Sequence, residues 1–184
     1  MIRILSILLV LLQTGDVHPG RYFFTNSGTV SFRSEASQEL IKATSHNLSG
    51  LIDAEKKSFA FKMAIQSFDG FNNAVQKEHF NEKYLESERY PEAFFNGKII
   101  EEIDFEKDGT ANIRAKGKLS IHGIEQERII KATITIHGAM MHISSHFTVL
   151  LADHNIKVPR VVHEKIATEI SVEISADLKR KEIN

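Results

Sequence analysis

From residue 20 onward the hydrophobic pattern of this chain repeats every two residues. Its last stretch is the longest example. Ile166, Thr168, Ile170, Val172, Ile174, Ala176 and Leu178 fall on one face, and Ala167, Glu169, Ser171, Glu173, Ser175, Asp177 and Lys179 on the other. Successive strand side chains point to opposite sides of a sheet, so this stretch reads as a strand with one dry face and one wet face. The same alternation sets Phe59, Phe61, Met63 and Ile65 against Ser58, Ala60, Lys62 and Ala64. It recurs in Ala111–Ile121, in Ile130–Ile136 and in Met141–Val149. Lys107-Asp108-Gly109, His122-Gly123 and His137-Gly138 lie between the runs and predict tight turns, hence adjacent antiparallel hairpins. Gly28–Ser34, Gln38–Thr44 and Leu48–Asp53 are weaker strand candidates.

One segment breaks the rhythm. Over residues 72–85, Val75, His79 and Phe80 stand at helical spacing, which predicts one short helix. Pro91 forces Tyr90 out of helical geometry, so the helix ends before it. A further strand is predicted through Phe95, Ile99 and Ile103. About eight strands with one dry face must hide that face, between two sheets or inside a closed barrel. Strands of ten or more residues suit a barrel, so the fold class is all-β, a single antiparallel lipocalin-like barrel. Ala111, Ala115, Gly117, Ala132 and Ala176 face inward and leave volume. Large neighbours such as Phe147 fill it, or a ligand does; the pattern alone favours neither.

Composition narrows the setting. Arg3, the apolar run Ile4–Leu12 and the small or polar residues after it read as an export leader over residues 1–18. Gly15 offers a cleavage position without a clean small-x-small triplet. The competing reading is a buried N-terminal strand or helix. The apolar run is far shorter than the roughly 20 residues that span a bilayer, so no permanent membrane span is expected. Residues 19–184 then form one domain, large enough to bury a core. The chain has no cysteine, which excludes thiol chemistry and disulfide staples. With 23 basic and 24 acidic residues it offers no electrostatic case for nucleic acid. Twelve Phe, three Tyr and no Trp favour buried apolar surface.

Candidate chemistry is sparse. His142 and His146 share a strand face but sit roughly 13 Å apart at strand rise, too far for one metal. His122, His137 and His154 fall in expected turns, where solvated surface histidines are the simplest reading. No G-x-S-x-G elbow or phosphate-binding glycine loop is present. Glu101 shares the phase of Ile99 and Ile103, which would place it inside the barrel unless a bulge turns it outward. Glu101 and Ser145 are the only inward-phase groups with catalytic potential.

Several motifs resemble one known family. Gln76–Pro91 reads Q-K-E-H-F-N-E-K-Y-L-E-S-E-R-Y-P and is followed by Phe94 and Phe95. Gly117–Ile124 reads G-K-L-S-I-H-G-I. Phe147-Thr148-Val149, Asp153, Ile156-Lys157-Val158-Pro159 and Lys165-Ile166-Ala167 precede the last strand. In order and spacing these resemble the YceI-like, polyisoprenoid-binding family. The H-F-N-E-K-Y-L-E-S form resembles exported members of Bacteroidetes type. The resemblance implies a lipocalin-like barrel, a periplasmic or secreted location and an interior for isoprenoid or fatty chains, and it implies no enzyme. The chain departs from the family where Asn73-Ala74-Val75-Gln76 stands in place of an Arg-Asp pair, so no headgroup contact by such a pair is carried over.

The period-two phase selects the residues expected against an isoprenoid or other long-chain lipid. They are Phe59, Phe61, Met63, Phe95 and Ile113, together with Leu119, Ile134, Phe147, Ile170 and Val172. No catalytic residue, metal or cofactor is expected, and a homodimer is left open. The rival readings are a calycin-like enzyme acting on a bound lipid, and an envelope-stress or interaction protein with a filled core.

Overall fold

Eight antiparallel strands follow one another in chain order round a closed barrel, each bonded to the next and the last to the first. They are β1 (Arg21–Glu35), β2 (Leu40–Asp53), β3 (Ser58–Ala64), β4 (Glu92–Ile99), β5 (Gly109–Ile121), β6 (Ile124–His137), β7 (Met140–Leu150) and β8 (Glu169–Glu182). The computed structural model describes residues 21–182, and the leader expected over residues 1–18 lies outside them. Among the described residues no helix is long and apolar enough to cross a membrane. Closure follows from the alternation: every strand turns its dry face inward and pairs with a neighbour on each side, although β6 and β7 pair only over Ala132–His137 and Met140–Ser145, and β2 and β3 only over Ser49–Asp53 and Ser58–Lys62.

The hairpins match their turn residues. Ile121 pairs with Ile124, so His122 and Gly123 form a two-residue turn, with φ of 53° and 71°. Positive φ at both central residues matches the right-handed twist of the flanking strands. Some boundaries differ from the expectation. Leu40–Thr44 of the Gln38–Thr44 candidate and the whole of Leu48–Asp53 are parts of one strand, β2, because β1 pairs along almost its whole length. The strand expected through Ile103 stops at Ile99. Beyond it Glu101 points outward, its carboxylate accepting from the backbone N–H of Arg114 at 2.6 Å and from Arg114 Nε at 2.7 Å. Strand β8 begins at Glu169, so Ile166 and Thr168 belong to the connection before it.

The connections divide the barrel into two unlike ends. One end carries the β1–β2 turn, the helical segment between β3 and β4, the His122-Gly123 turn and the long β7–β8 connection. Within the predicted helix, α1 spans Ala74–His79 and runs into a wider π-type turn over Phe80–Tyr84. Asn73 caps α1 by accepting from the Gln76 N–H at 2.9 Å. Phe80 faces the barrel while Val75 stays exposed, so only one turn of the predicted apolar face is buried. The opposite end is sealed. Phe23, Met141 and Leu178 are fully buried there, and Phe105 from the β4–β5 loop lies with its ring 6.2 Å from Phe23. Arg180 lies over Phe23 at 5.2 Å, and its Nη2 donates to the Phe105 backbone oxygen at 2.8 Å.

Candidate ligand cavity and its mouth

The inward faces do not close on each other throughout. A cavity of about 390 Å³ runs from the helix end down into the barrel. That volume is within the usual range of small-molecule sites, about 300–1,000 Å³. Phe59, Phe61 and Met63 of β3 and Phe95 of β4 line one wall. Ile113 and Leu119 of β5, Phe147 of β7, and Ile170 and Val172 of β8 line the others. Nine of the ten expected residues are therefore cavity walls. Ile134 is the exception. It is 1 % exposed and lies beneath the cavity, paired with Ala111 on one side and Ile143 on the other. It shares the inward phase, but strand stagger sets it in the packed layer.

Two aromatic groups shape the interior. Phe59 and Phe95 lie 4.8 Å apart, with Phe61 at 6.2 Å from Phe59. The other group lies under the helix. Phe32 stacks on Phe80 at 5.3 Å with a 9° interplanar angle, and meets the edge of Phe68 at 5.0 Å. Phe71 completes it, 5.1 Å from Phe80. Such pairs each add about 0.5–1.5 kcal/mol beyond burial. They pin the helical segment across one side of the mouth. The sequence reading missed this group. Phe32 was within reach through the alternation of Val30, Phe32 and Ser34, but Phe68 and Phe71 lie in a segment with no period.

The ionisable members of the lining, Glu39, Lys62, His79 and Lys165, all come from the helix end, so the cavity opens there. Glu39 accepts from the Gln76 side chain, tying the β1–β2 turn to α1. Tyr84 stands at the same rim, its hydroxyl pKa raised by burial. Deeper in, the walls are aliphatic and aromatic apart from Ser145. The Ser145 hydroxyl donates to the Lys131 backbone oxygen at 2.7 Å. The two inward-phase candidates thus do not converge: Ser145 is engaged with backbone, and Glu101 is outside the barrel with Arg114. The Arg114 side chain, then its backbone N–H, holds the Glu101 carboxyl below the usual carboxylate range.

The β7–β8 connection forms the other side of the mouth. Leu151 and Ile156 are buried with Ile65 and Leu85, and Val158 and Ile166 pack against them. Contrary to the surface expectation, His122 and His154 are buried, at 9 % and 0 % exposure. They fasten this connection to the His122-Gly123 turn, and the edge of Tyr90 meets His122 at 4.7 Å. Among the described residues no group of three or more His, Cys, Asp or Glu is placed to hold a metal.

A model of the YceI-like domain matches residues 23–178. The chain belongs to the YceI-like family. Solved structures with the same barrel include a polyisoprenoid-binding domain from Saccharophagus degradans implicated in plant cell wall breakdown. It is 12% identical, covers 87% of this chain and 98% of its own, and has a TM-score of 0.73. BcnA of Burkholderia cenocepacia is 17% identical over 82% of this chain and 95% of its own, with a TM-score of 0.67. The Campylobacter jejuni YceI protein is 16% identical over 98% of this chain and 94% of its own, with a TM-score of 0.57. At these identities the likeness establishes the shared fold. No protein of curated function matches the chain. Within this YceI-like domain, the mouth, the aromatic group under the helix and the sealed far end are the features that bear on function.

Proposed function

We propose that this YceI-like protein is a non-catalytic carrier that holds a long apolar lipid, isoprenoid or fatty, in its barrel. The observation that carries the reading is a cavity of about 390 Å³ whose walls below the rim are hydrocarbon apart from Ser145, whose hydroxyl donates to the Lys131 backbone oxygen. A ligand with polar groups along its length would lose hydration there and find no partner. A hydrocarbon chain gains about 25 cal/mol for each Å² removed from water, before the cost of immobilising it. The cavity also speaks against a filled-core interaction protein, and the outward Glu101 against a calycin-like enzyme built on that carboxylate. The N-terminal charge, apolar run and polar exit support export to the periplasm or beyond, where a carrier would shield such a chain from water.

Mass spectrometry of the protein purified without detergent tests the proposal. Copurified lipid is expected, together with a rise in melting temperature on adding farnesol or palmitate. Absence of both would overturn the carrier reading.

A further inference from the structure

On β6, β7 and β8 inward-phase residues continue past the cavity to the sealed end of the barrel, whereas on β2, β3 and β4 its walls reach Ile52, Phe59 and Ile99 close to the strand ends. On β8 the walls run from Ile170 to Ala176 and do not include Leu178. On β7 they include Ile143 but not Met141, and on β6 Ala132 but not Ile134. The excluded residues form one layer. Met141 pairs with both Ile136 and Leu178, and Ile134 pairs with Ile143. Met141 and Leu178 are 0 % exposed and Ile134 1 %. Behind them Phe23 and Phe105 are held by Arg180. A chain entering at the mouth meets a packed floor backed by a sealed end, and it cannot pass without displacing those side chains.

From this floor we propose that the protein gauges ligand length. Ile134, Met141 and Leu178 stop a single apolar chain at about three isoprene units, or about 12–14 carbons of a straight fatty chain. The length follows from the wall. Ile170 to Ala176 is six residues of strand, about 20 Å at strand rise. At a barrel tilt of about 40° this gives a depth of about 15 Å. An extended chain advances about 1.2 Å per bond, judged from the reach of a polypeptide backbone. Longer chains leave their remainder outside the mouth, among Glu39, His79, Tyr84 and Lys165. The inference rests on the carrier reading and narrows it, because a ligand of many isoprene units is not wholly enclosed.

Two homologous series test it on the wild-type protein: straight fatty acids of about eight to about 24 carbons, and prenols of about two to about eight units, by calorimetry or by displacement of a fluorescent fatty acid. Each carbon added below the limit should tighten binding about fourfold, the factor for one buried methylene. Beyond about 14 carbons, or about three prenyl units, the gain should cease. Ala132→Leu adds three carbons just above the floor and should lower the limit by about that number. Met141→Ala should raise it by a similar amount, and the two series with Ala132→Leu decide the matter if that variant does not fold. A gain that continues undiminished past about 20 carbons, or a limit that Ala132→Leu does not move, overturns the gauge and leaves the carrier reading standing. If no chain of any length binds, both fall.

Discussion

The ring Nδ1 of His122 lies 3.0 Å from the backbone oxygen of His154, and the Nδ1 of His154 lies 3.1 Å from the backbone oxygen of Ile124. A carbonyl oxygen only accepts, so each ring carries a hydrogen on Nδ1, and the neutral His154 ring carries no other. His154 Nε2 is then a buried lone pair with no partner among the described residues. Burial holds the His154 pKa below the usual histidine range, against the opposing effect of the backbone oxygens of Ile124 and Ile121.

Stability is therefore expected to fall on acidification through this ring. The unfolded chain protonates His154 near about pH 6.5, and the folded chain only at lower pH. Between the two values the unfolded state binds more protons, so stability rises with pH and the contribution is complete above the unfolded value. Thermal melts at about pH 7.5 and about pH 5 should show a larger loss for the wild type than for His154→Gln. Parallel losses would assign the acid sensitivity to other groups.

Gly97 of β4 pairs directly with Gly117 of β5. A Cβ at Gly97 would sit 2.1 Å from the Lys116 oxygen and 2.5 Å from Gly117 Cα, both backbone atoms that cannot step aside. Gly97→Ala should cost about 2–3 kcal/mol or more, read as a lower urea midpoint at unchanged slope. A midpoint at the wild-type value would show that the strands can separate there at little cost.

Phe80 is the ring through which the helical segment is held to Phe32, Phe68 and Phe71. Phe80→Ala should lower stability by about 2–4 kcal/mol. It should also speed proteolysis between β3 and β4, since α1 itself has no buried residue. Phe80→Leu keeps most of the apolar area and should lose only about 1 kcal/mol. Equal losses for the two variants would mean that ring geometry, rather than burial, holds the segment.

Glu101→Gln should leave copurified lipid and the ligand-induced melting shift at wild-type levels, because the carboxylate faces Arg114 outside the barrel. A loss of lipid binding in this variant would contradict that placement.

Much of the wall was legible because strand phase is local. Given that residues 58–64 are extended, Phe59, Phe61 and Met63 must share a face whatever surrounds them. The same argument reached Ile113, Leu119, Phe147, Ile170 and Val172. It failed at Ile134, and it had no bearing on His122 and His154, which were placed by their turn positions. Phase tells which side of a sheet a residue faces, and says nothing of what stands opposite it. Glu101 had the inward phase, but pairing stops at Ile99, and the residue turns to the nearest cation.

The sequence by itself determined an all-β chain of about eight strands with one dry face, interrupted by one short helix. Those are properties of alternation, turn residues and Pro91, each acting within a few positions. The tertiary structure alone decided where the dry face is packed and where it is hollow. Ile134 and Ile143 are alike in sequence character and paired across β6 and β7, yet one lies in the floor and the other lines the cavity. That difference comes from the stagger of strands round a closed barrel and from Phe23, Phe105 and Arg180 sealing one end, which bring together residues far apart along the chain. The histidine clasp at the mouth has the same origin: His122 and His154 become buried only when the β7–β8 connection folds over the β5–β6 turn.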